Sequence, residues 1–356
     1  MKILLVRLRL VGDVVFTTPL IRALRRQFPD AHLSYAVEPA AAPVVQGNPH
    51  LNEVMVLPQA RGLTRIRTDL AAALHVQRQR FDIAIDLHGG PRSAWLTWAS
   101  RAPMRIGYAI AGRSWMYTTV VARAADLAPR HSVVNQWDLL RPLGIEPGGP
   151  ADDPVEVPEN PAAAAAIVAR LRAAGVTDAH TLVVIHVSAG NAFRRWPAPA
   201  FEDLVVGLVQ RDGHRRVVLT SGPSDADAAR RIADAARARL GDQAHAVPAF
   251  GEFDLAELRA LVARASVYIG GDSGPLHVAA ATSTPIVALL GPTLTERSRP
   301  WRDPRWFAEM VELELPCRPC DQRVCEPGDF RCLTWIKPER VLEATERALA
   351  AAAQPR

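Results

Sequence analysis

The chain has 356 residues, more than one ordinary core takes and enough for two domains of about 150 to 180 residues each. Hydrophobic residues make up 49% and charged residues 22%, which excludes a disordered chain. The formal charge of +5 favours anionic partners such as phosphates, sugar acids or an acidic membrane surface, and has no bearing on fold.

The first apolar run, Lys2–Leu8, has Arg7 within it, is followed by Arg9 and Asp13, and lacks a small-residue cleavage site. It therefore reads as a strand and not as a leader. The late apolar run from Ser283 to Leu290 is too short to span a bilayer, so the expected location is the cytoplasm. Further strands are predicted at His32–Val37, Glu53–Leu57 and Phe81–Leu87. A helix over Thr18–Phe28 places Leu20, Ile21, Leu24 and Phe28 on one stripe. The proline- and glycine-dense stretch Pro147–Pro161 breaks any regular element and reads as a linker. After it the scheme repeats. Strands are expected at Leu182–Val187, Arg216–Ser221, Ser266–Gly270 and Pro285–Leu290, with helices at Pro199–Arg211, Asp225–Leu240, Asp254–Ala265 and Pro275–Ala281. A last helix is expected over 338–351. Alternating strands and helices imply two doubly wound α/β domains with parallel sheets, and ligands then sit at the carboxyl ends of strands.

Three loops at such ends carry chemistry. In Arg9-Leu-Val-Gly-Asp13, Gly12 allows a tight turn and close ligand approach. Asp13 reads either as a helix N-cap or as a general base for a sugar hydroxyl. In His186–Pro197, Ser188 and Gly190 offer a small-residue turn, and Arg194 and Arg195 supply the cations that a leaving diphosphate needs. A solvated basic turn is the plainer reading of the same residues. In Gly270–His277, glycines precede a helix start that offers free N–H groups to a phosphate. There Ser273 reads as a hydroxyl donor or N-cap, and His277 as a site residue or a satisfied core histidine. The string Gly271-Asp-Ser-Gly274 also matches a serine-protease nucleophile, but its setting between a parallel strand and a helix makes that accidental.

These loops, in this order and spacing, resemble glycosyltransferase family 9, the ADP-heptose:lipopolysaccharide heptosyltransferases. Lys2–Pro19 carries the most specific match. Ser188, Arg194-Arg195-Trp196-Pro197, Leu219–Pro223, Gly271–His277, Gly291-Pro-Thr293 and Arg299-Pro-Trp301 extend it over nearly the whole chain. The resemblance implies a GT-B fold, with two Rossmann-like domains facing each other across a cleft. It implies an acceptor domain at 1–160, a donor domain at 161–337, and a terminal helix packed back on the first domain. It also implies an inverting transfer of heptose from ADP-heptose to the inner core of lipopolysaccharide, by a bacterial protein peripheral to the inner face of the inner membrane. Asp13 would be the catalytic base. Ser188, Arg194, Arg195, Asp225, Asp272, Ser273, Gly274 and His277 would bind the donor. Gly12, Arg61, Arg65, Arg92 and Arg105 would grip the acceptor's phosphates and acidic sugars. Many relatives carry lysine where Arg194 stands and a second hydroxyl residue where Ala189 stands. The Tyr108–Arg113 and His131–Gly144 stretches, with Arg299-Pro-Trp301, resemble members that add a branching third heptose.

All four cysteines fall late, at Cys317, Cys320, Cys325 and Cys332. Clustered in a chain expected to be cytosolic, they point to a structural metal such as zinc before disulfides, with free thiols as the other reading. No cofactor is expected for catalysis. Rival readings are a GT-B transferase with another nucleotide sugar and a non-catalytic carbohydrate-binding relative. Nucleic acid is not expected as a partner, because the basic residues are not interleaved with aromatics.

Overall fold

The computed structural model describes residues 1–60, 62–123, 129–320 and 322–352. It divides into two compact units, Met1–Pro158 and Glu159–Arg356.

The first unit contains β1 (Lys2–Val6), α1 (Val11–Val15), α2 (Thr18–Gln27), β2 (His32–Val37), β3 (Glu53–Val56) and α3 (Gly62–Arg78). After these come β4 (Ile83–Asp86), α4 (Pro91–Ala99), β5 (Met104–Tyr108), β6 (Thr119–Val121) and α5 (Ser132–Trp137). Its strands run parallel in the order β3-β2-β1-β4-β5-β6. The β1 sequence KILLV is apolar without alternation because helices cover both faces of such a sheet. Helix α2 buries Leu20, Ile21 and Leu24 and turns its arginines outward. All three of those arginines are structural. Arg25 holds Pro29 and Ala31 carbonyls, Arg22 reaches Glu156 at 2.8 Å, and Arg26 forks onto both oxygens of the fully buried Asp153 at 2.9 Å. The linker is thus pinned to α2 up to about the unit boundary.

The second unit contains α6 (Pro161–Ala173), β7 (Thr181–His186), α7 (Ala198–Arg211), β8 (Arg215–Thr220), α8 (Ala226–Leu240) and α9 (Leu255–Arg264). It continues with β9 (Val267–Gly271), α10 (Gly274–Ala280), β10 (Ile286–Leu289), α11 (Thr295–Ser298), β11 (Ala308–Val311), α12 (Arg331–Thr334) and α13 (Pro338–Ala352). The sheet is again parallel, ordered β11-β10-β9-β7-β8. The predicted strands and helices appear at their places within one or two residues. Strands β5, β6 and β11 and helices α3, α4, α5, α6, α11 and α12 are additions to what the sequence predicts.

The terminal helix corrects an expectation. α13 was expected to return to the first unit. Instead Val341, Leu342, Ala344 and Ala348 are buried in the second unit's core with Trp196, Phe201 and Leu208. Arg215 fixes it further, donating to both oxygens of Glu346 at 2.8 and 2.7 Å. The amphipathic stripe of α13 finds its apolar partner on α7, so its own unit satisfies it.

Each sheet has one point where successive connections leave in opposite directions, and there a crevice opens at the strand ends. In the first unit it lies between β1 and β4. In the second it lies between β7 and β9. The loops singled out from the sequence follow β1, β7 and β9.

Candidate active site

In the first unit the chain leaves β1 through Arg7, Leu8, Arg9 and Leu10 before α1 begins. Leu10 adopts the left-handed conformation, φ 66°, and is exposed. Gly12, expected to make this turn, sits inside α1, and the strained residue is Leu10. The bend places Asp13 in the first helical turn. Its carboxylate pairs with Arg7, whose other nitrogen is fixed on the Leu87 carbonyl at 2.7 Å. Asp13 keeps 32% of its side chain exposed, so it is oriented by the protein and open to a ligand.

The β4–α4 loop lies across the switch point. Asp86 is fully buried and builds that loop. It accepts from the His88 and Gly89 N–H groups at 2.9 and 2.8 Å, from Ser93 at 3.1 Å and from Tyr117 at 2.7 Å. His88 follows, half-buried, with Nδ1 lacking a hydrogen-bond partner. Burial, and then the charge of Arg7, holds its imidazole below the ordinary histidine value. A cleft of about 480 Å³ lies here, lined among others by Arg9, Glu38, Arg65, His88 and Arg92.

The arginines expected to hold an acceptor separate. Arg65 lines the cleft. Arg92 lines it too, but its guanidinium is engaged by Glu38 at 2.7 Å, Asp69 at 2.8 Å and the Pro58 carbonyl at 3.0 Å. It shapes the wall and has little capacity left for a ligand. Arg105 is elsewhere, beside Trp98 and Arg101, donating to the Met116 and Ala102 carbonyls at 2.9 and 2.7 Å. It does not line the cleft that Arg65 and Arg92 share. Arg61 lies outside the described residues.

In the second unit β7 ends at His186, buried, whose Nδ1 meets the Thr220 hydroxyl of β8 at 3.0 Å. Burial lowers its pKa to about 4, so it is neutral. Ser188 accepts from the Gly222 N–H at 2.9 Å, which ties the β7 and β8 loops together. Asn191 caps a single 3₁₀ turn, Ala192–Arg194, that presents the two arginines. Arg194 faces the other side of the crevice. Its Nη1 stands 3.1 Å from Asp272 Oδ2, and its Nε donates to Gln322 Oε1 at 2.7 Å. Arg195 pairs with Asp225 at 3.0 Å and donates to the Ala189 carbonyl. A Cβ at Gly271 would stand 3.3 Å from the Arg194 carbonyl oxygen, tighter than an ordinary contact.

Asp272 is buried, with His277 Nε2 at 3.7 Å from its other oxygen. Burial alone would raise its pKa. His277 and Arg194 together outweigh that, and the carboxyl is held below its usual value. Ser273 stands at the N-cap of α10, but its hydroxyl donates to the Gly271 carbonyl at 3.2 Å and does not cap. Gly274 opens that helix. Trp196 is core, its indole N–H donating to the Ile336 carbonyl at 3.0 Å. A second cleft, of about 590 Å³, lies beyond the end of β8, lined by Thr220, Ser221, Arg230, Phe250 and Phe253 among others.

The structure therefore gathers Arg194, Asp272 and His277 into one cluster and Arg195 with Asp225 into another. Sequence reasoning missed Arg7, His88 and Gln322. Only Arg7 had a local signal, as a cation three residues before the turn at Leu10.

The four cysteines line a single pocket of about 470 Å³ with Phe193, Pro292 and Phe330, and all are free thiols. Among the described residues, no group of three or more His, Cys, Asp or Glu is arranged to hold a metal.

The sequence profile of glycosyltransferase family 9 (heptosyltransferase) matches residues 70–330. Lipopolysaccharide heptosyltransferase 3 of Escherichia coli (strain K12) is 29% identical over 348 residues, covering 96% of each chain. The crystal structure of a family 9 glycosyltransferase from Veillonella parvula superposes with TM-score 0.82 at 23% identity, covering 98% of this chain and 97% of that one. The E. coli ADP-heptose lps heptosyltransferase II superposes with TM-score 0.75 at 21% identity, covering 98% and 99%.

Proposed function

The chain belongs to glycosyltransferase family 9, the heptosyltransferases, and from that premise we propose that it transfers a heptose from ADP-heptose to the inner core of a lipopolysaccharide. One observation carries the reading. At the switch point of the second unit, Arg194 and His277 converge on the buried Asp272 beside the start of α10. A cation held at the edge of a crevice, with backbone N–H groups behind it, suits a diphosphate whose charge grows as its bond to the sugar breaks. The relatives' names supply the substrates, ADP-heptose and lipopolysaccharide.

The first unit takes the acceptor and the second takes the donor. The acceptor hydroxyl oxygen attacks the anomeric carbon while Asp13 removes its proton, and the C–O bond to ADP breaks with its electron pair leaving on ADP. A single displacement of this kind inverts the anomeric centre. Arg7 keeps Asp13 aimed through their ion pair. Arg194 carries the charge of departing ADP, and the tie between Ser188 and Gly222 sets the loop beside it. The cleft beyond β8, with Phe250 and Phe253 in its wall, suits the nucleoside. Arg9 and Arg65 face the acceptor's anionic groups in the first unit's cleft. None of these steps uses a metal.

Among the described residues no helix is long and apolar enough to cross a membrane. We place the protein in the cytoplasm, peripheral to the inner membrane where its lipid-linked acceptor lies. A soft metal at the four cysteines rests on the donor set alone, four thiols around one pocket. Elemental analysis of purified protein decides it, and less than stoichiometric zinc or iron removes it.

Asp13→Ala should lower kcat by at least about a hundredfold on ADP-heptose and a truncated lipopolysaccharide, while ADP still raises the melting temperature as in wild type. Near-normal turnover in that variant removes the base assignment. Thermal shifts larger with UDP or GDP than with ADP would reassign the donor, and an absence of any product by mass would leave only a binding role.

A further inference from the structure

Helix α3 carries three large apolar side chains that its own unit does not cover. Ile66, Leu70 and Leu74 are 57%, 52% and 51% exposed. At four-residue spacing they fall within an arc of about 80° on one flank of the helix. Gln77 falls within the same arc, and it lines a groove with Trp98 of α4. The exposed stripe therefore lies on the α4 side of α3. Across that groove Trp98 is 43% exposed and packs edge-on against Trp115, 64% exposed, with ring centroids 5.9 Å apart. The Trp115 indole N–H is satisfied by the Gly112 carbonyl at 3.2 Å, so an apolar surround costs it no hydrogen bond. Soluble chains seldom leave such a patch open, and contiguous apolar surface of this kind marks a binding face.

The charge around the patch selects the partner. Residues 62–78 hold three arginines and one carboxylate, Asp69, which turns inward onto Arg92 at 2.8 Å. Residues 95–117 hold three arginines and no carboxylate. Leucine, isoleucine and tryptophan bordered by arginine suit an interface of acyl chains and anionic headgroups.

We infer that the α3–α4 face, through Ile66, Leu70, Leu74, Trp98 and Trp115 with the arginines around them, docks on an anionic lipid bilayer. The inference deepens the proposed action on a lipid-linked acceptor and rests on it only for its purpose. Desolvating leucine and tryptophan supplies the affinity, and Arg67, Arg78 and Arg113 supply the preference for negative surface.

The test is sedimentation of the full-length protein with phosphatidylcholine vesicles, with and without phosphatidylglycerol, beside turnover on a lipid-free oligosaccharide acceptor. Wild type should sediment with the anionic vesicles, less so as salt rises. Leu70→Ser/Leu74→Ser/Trp115→Ser should bind at least about a hundredfold more weakly, since each of the three buried apolar side chains is worth about tenfold. Its turnover on the lipid-free acceptor and its circular dichroism should match wild type. Arg67→Gln/Arg78→Gln, which leaves the apolar stripe intact, should lose most of the preference for anionic vesicles. Wild type that stays in the supernatant, or a triple variant that binds as wild type does, overturns the inference. A wild-type dimer in light scattering that the triple variant dissociates also overturns it, in favour of a second copy. Absent turnover on the lipid-free acceptor with vesicle binding intact sinks the transferase reading and leaves this one standing.

Discussion

Arg194 is held at one end by a carboxylate and at the other by an amide. Asp272 takes the side chain's Nη1, and Gln322 takes its Nε while also accepting from Asn191 at 3.2 Å. Gln322 itself sits in the left-handed region, φ 60°, a conformation that costs a non-glycine residue energy and persists only when its surroundings enforce it. The cysteine-bearing segment thus positions an arginine of the proposed donor site. Gln322→Ala should raise the KM for the nucleotide sugar about tenfold or more, the loss of one hydrogen bond to a charged group, with kcat within about twofold. Gln322→Glu keeps an acceptor and should restore most of the affinity. A fall in kcat with an unchanged KM would show that Gln322 acts on something other than donor binding. Sequence alone reveals Arg194 and Asp272, because both lie in strand-end loops. It does not reveal Gln322, which is 128 residues away and reaches Arg194 only through the fold. Arg7 was hidden for a nearer reason. Its contact with Asp13 depends on a left-handed turn at Leu10, where no glycine announces one.

At the scale of elements, the hydrophobic strands could be read because parallel strands covered on both faces are unbroken apolar runs. Met104–Tyr108 was missed because MRIGY carries an arginine and a glycine, and Thr119–Val121 because three residues make no pattern. α6 was hidden by the prolines before it, although Asn160 caps it and Pro161 opens it. The β7–β8 pair carries a prediction of its own. His186 and Thr220 join the two strands at their carboxyl ends, and burial lowers the His186 pKa to about 4. The unfolded chain binds that proton with a pKa near 6.5, so between about 6.5 and 4 the unfolded state holds more protons than the folded one. Stability therefore falls as pH drops through that window, by up to about 3 kcal/mol for this group. Urea midpoints at pH 7 and pH 5 should differ accordingly, and His186→Gln should flatten the difference. A variant with the same pH slope as wild type would place the acid sensitivity in other groups.

At the scale of the whole molecule, each unit owns a core. The first is built around Leu4, Val6, Val76 and Leu96, the second around Ile185, Leu204, Ile269 and Leu342. Two ties decide where one unit ends. Arg26 and Arg22 fasten Asp153 and Glu156 to α2, and the terminal helix is fastened to β8 by Arg215 and Glu346. The division therefore falls at Pro158–Glu159, and the terminal helix travels with the second unit. Chains 1–158 and 159–356, made separately, should each unfold in one cooperative transition. A second-unit chain ending before Pro338 should fail to fold, because it leaves the α7 face bare. Since the proposed donor groups all lie after residue 158, ADP at a hundred times its Kd should stabilise the second chain by about 2.7 kcal/mol, or several degrees, and leave the first unmoved. An ADP shift confined to chain 1–158 would reverse the assignment of the two units. A chain ending at residue 337 that folds as stably as 159–356 would show that the terminal helix contributes little to the second unit's stability.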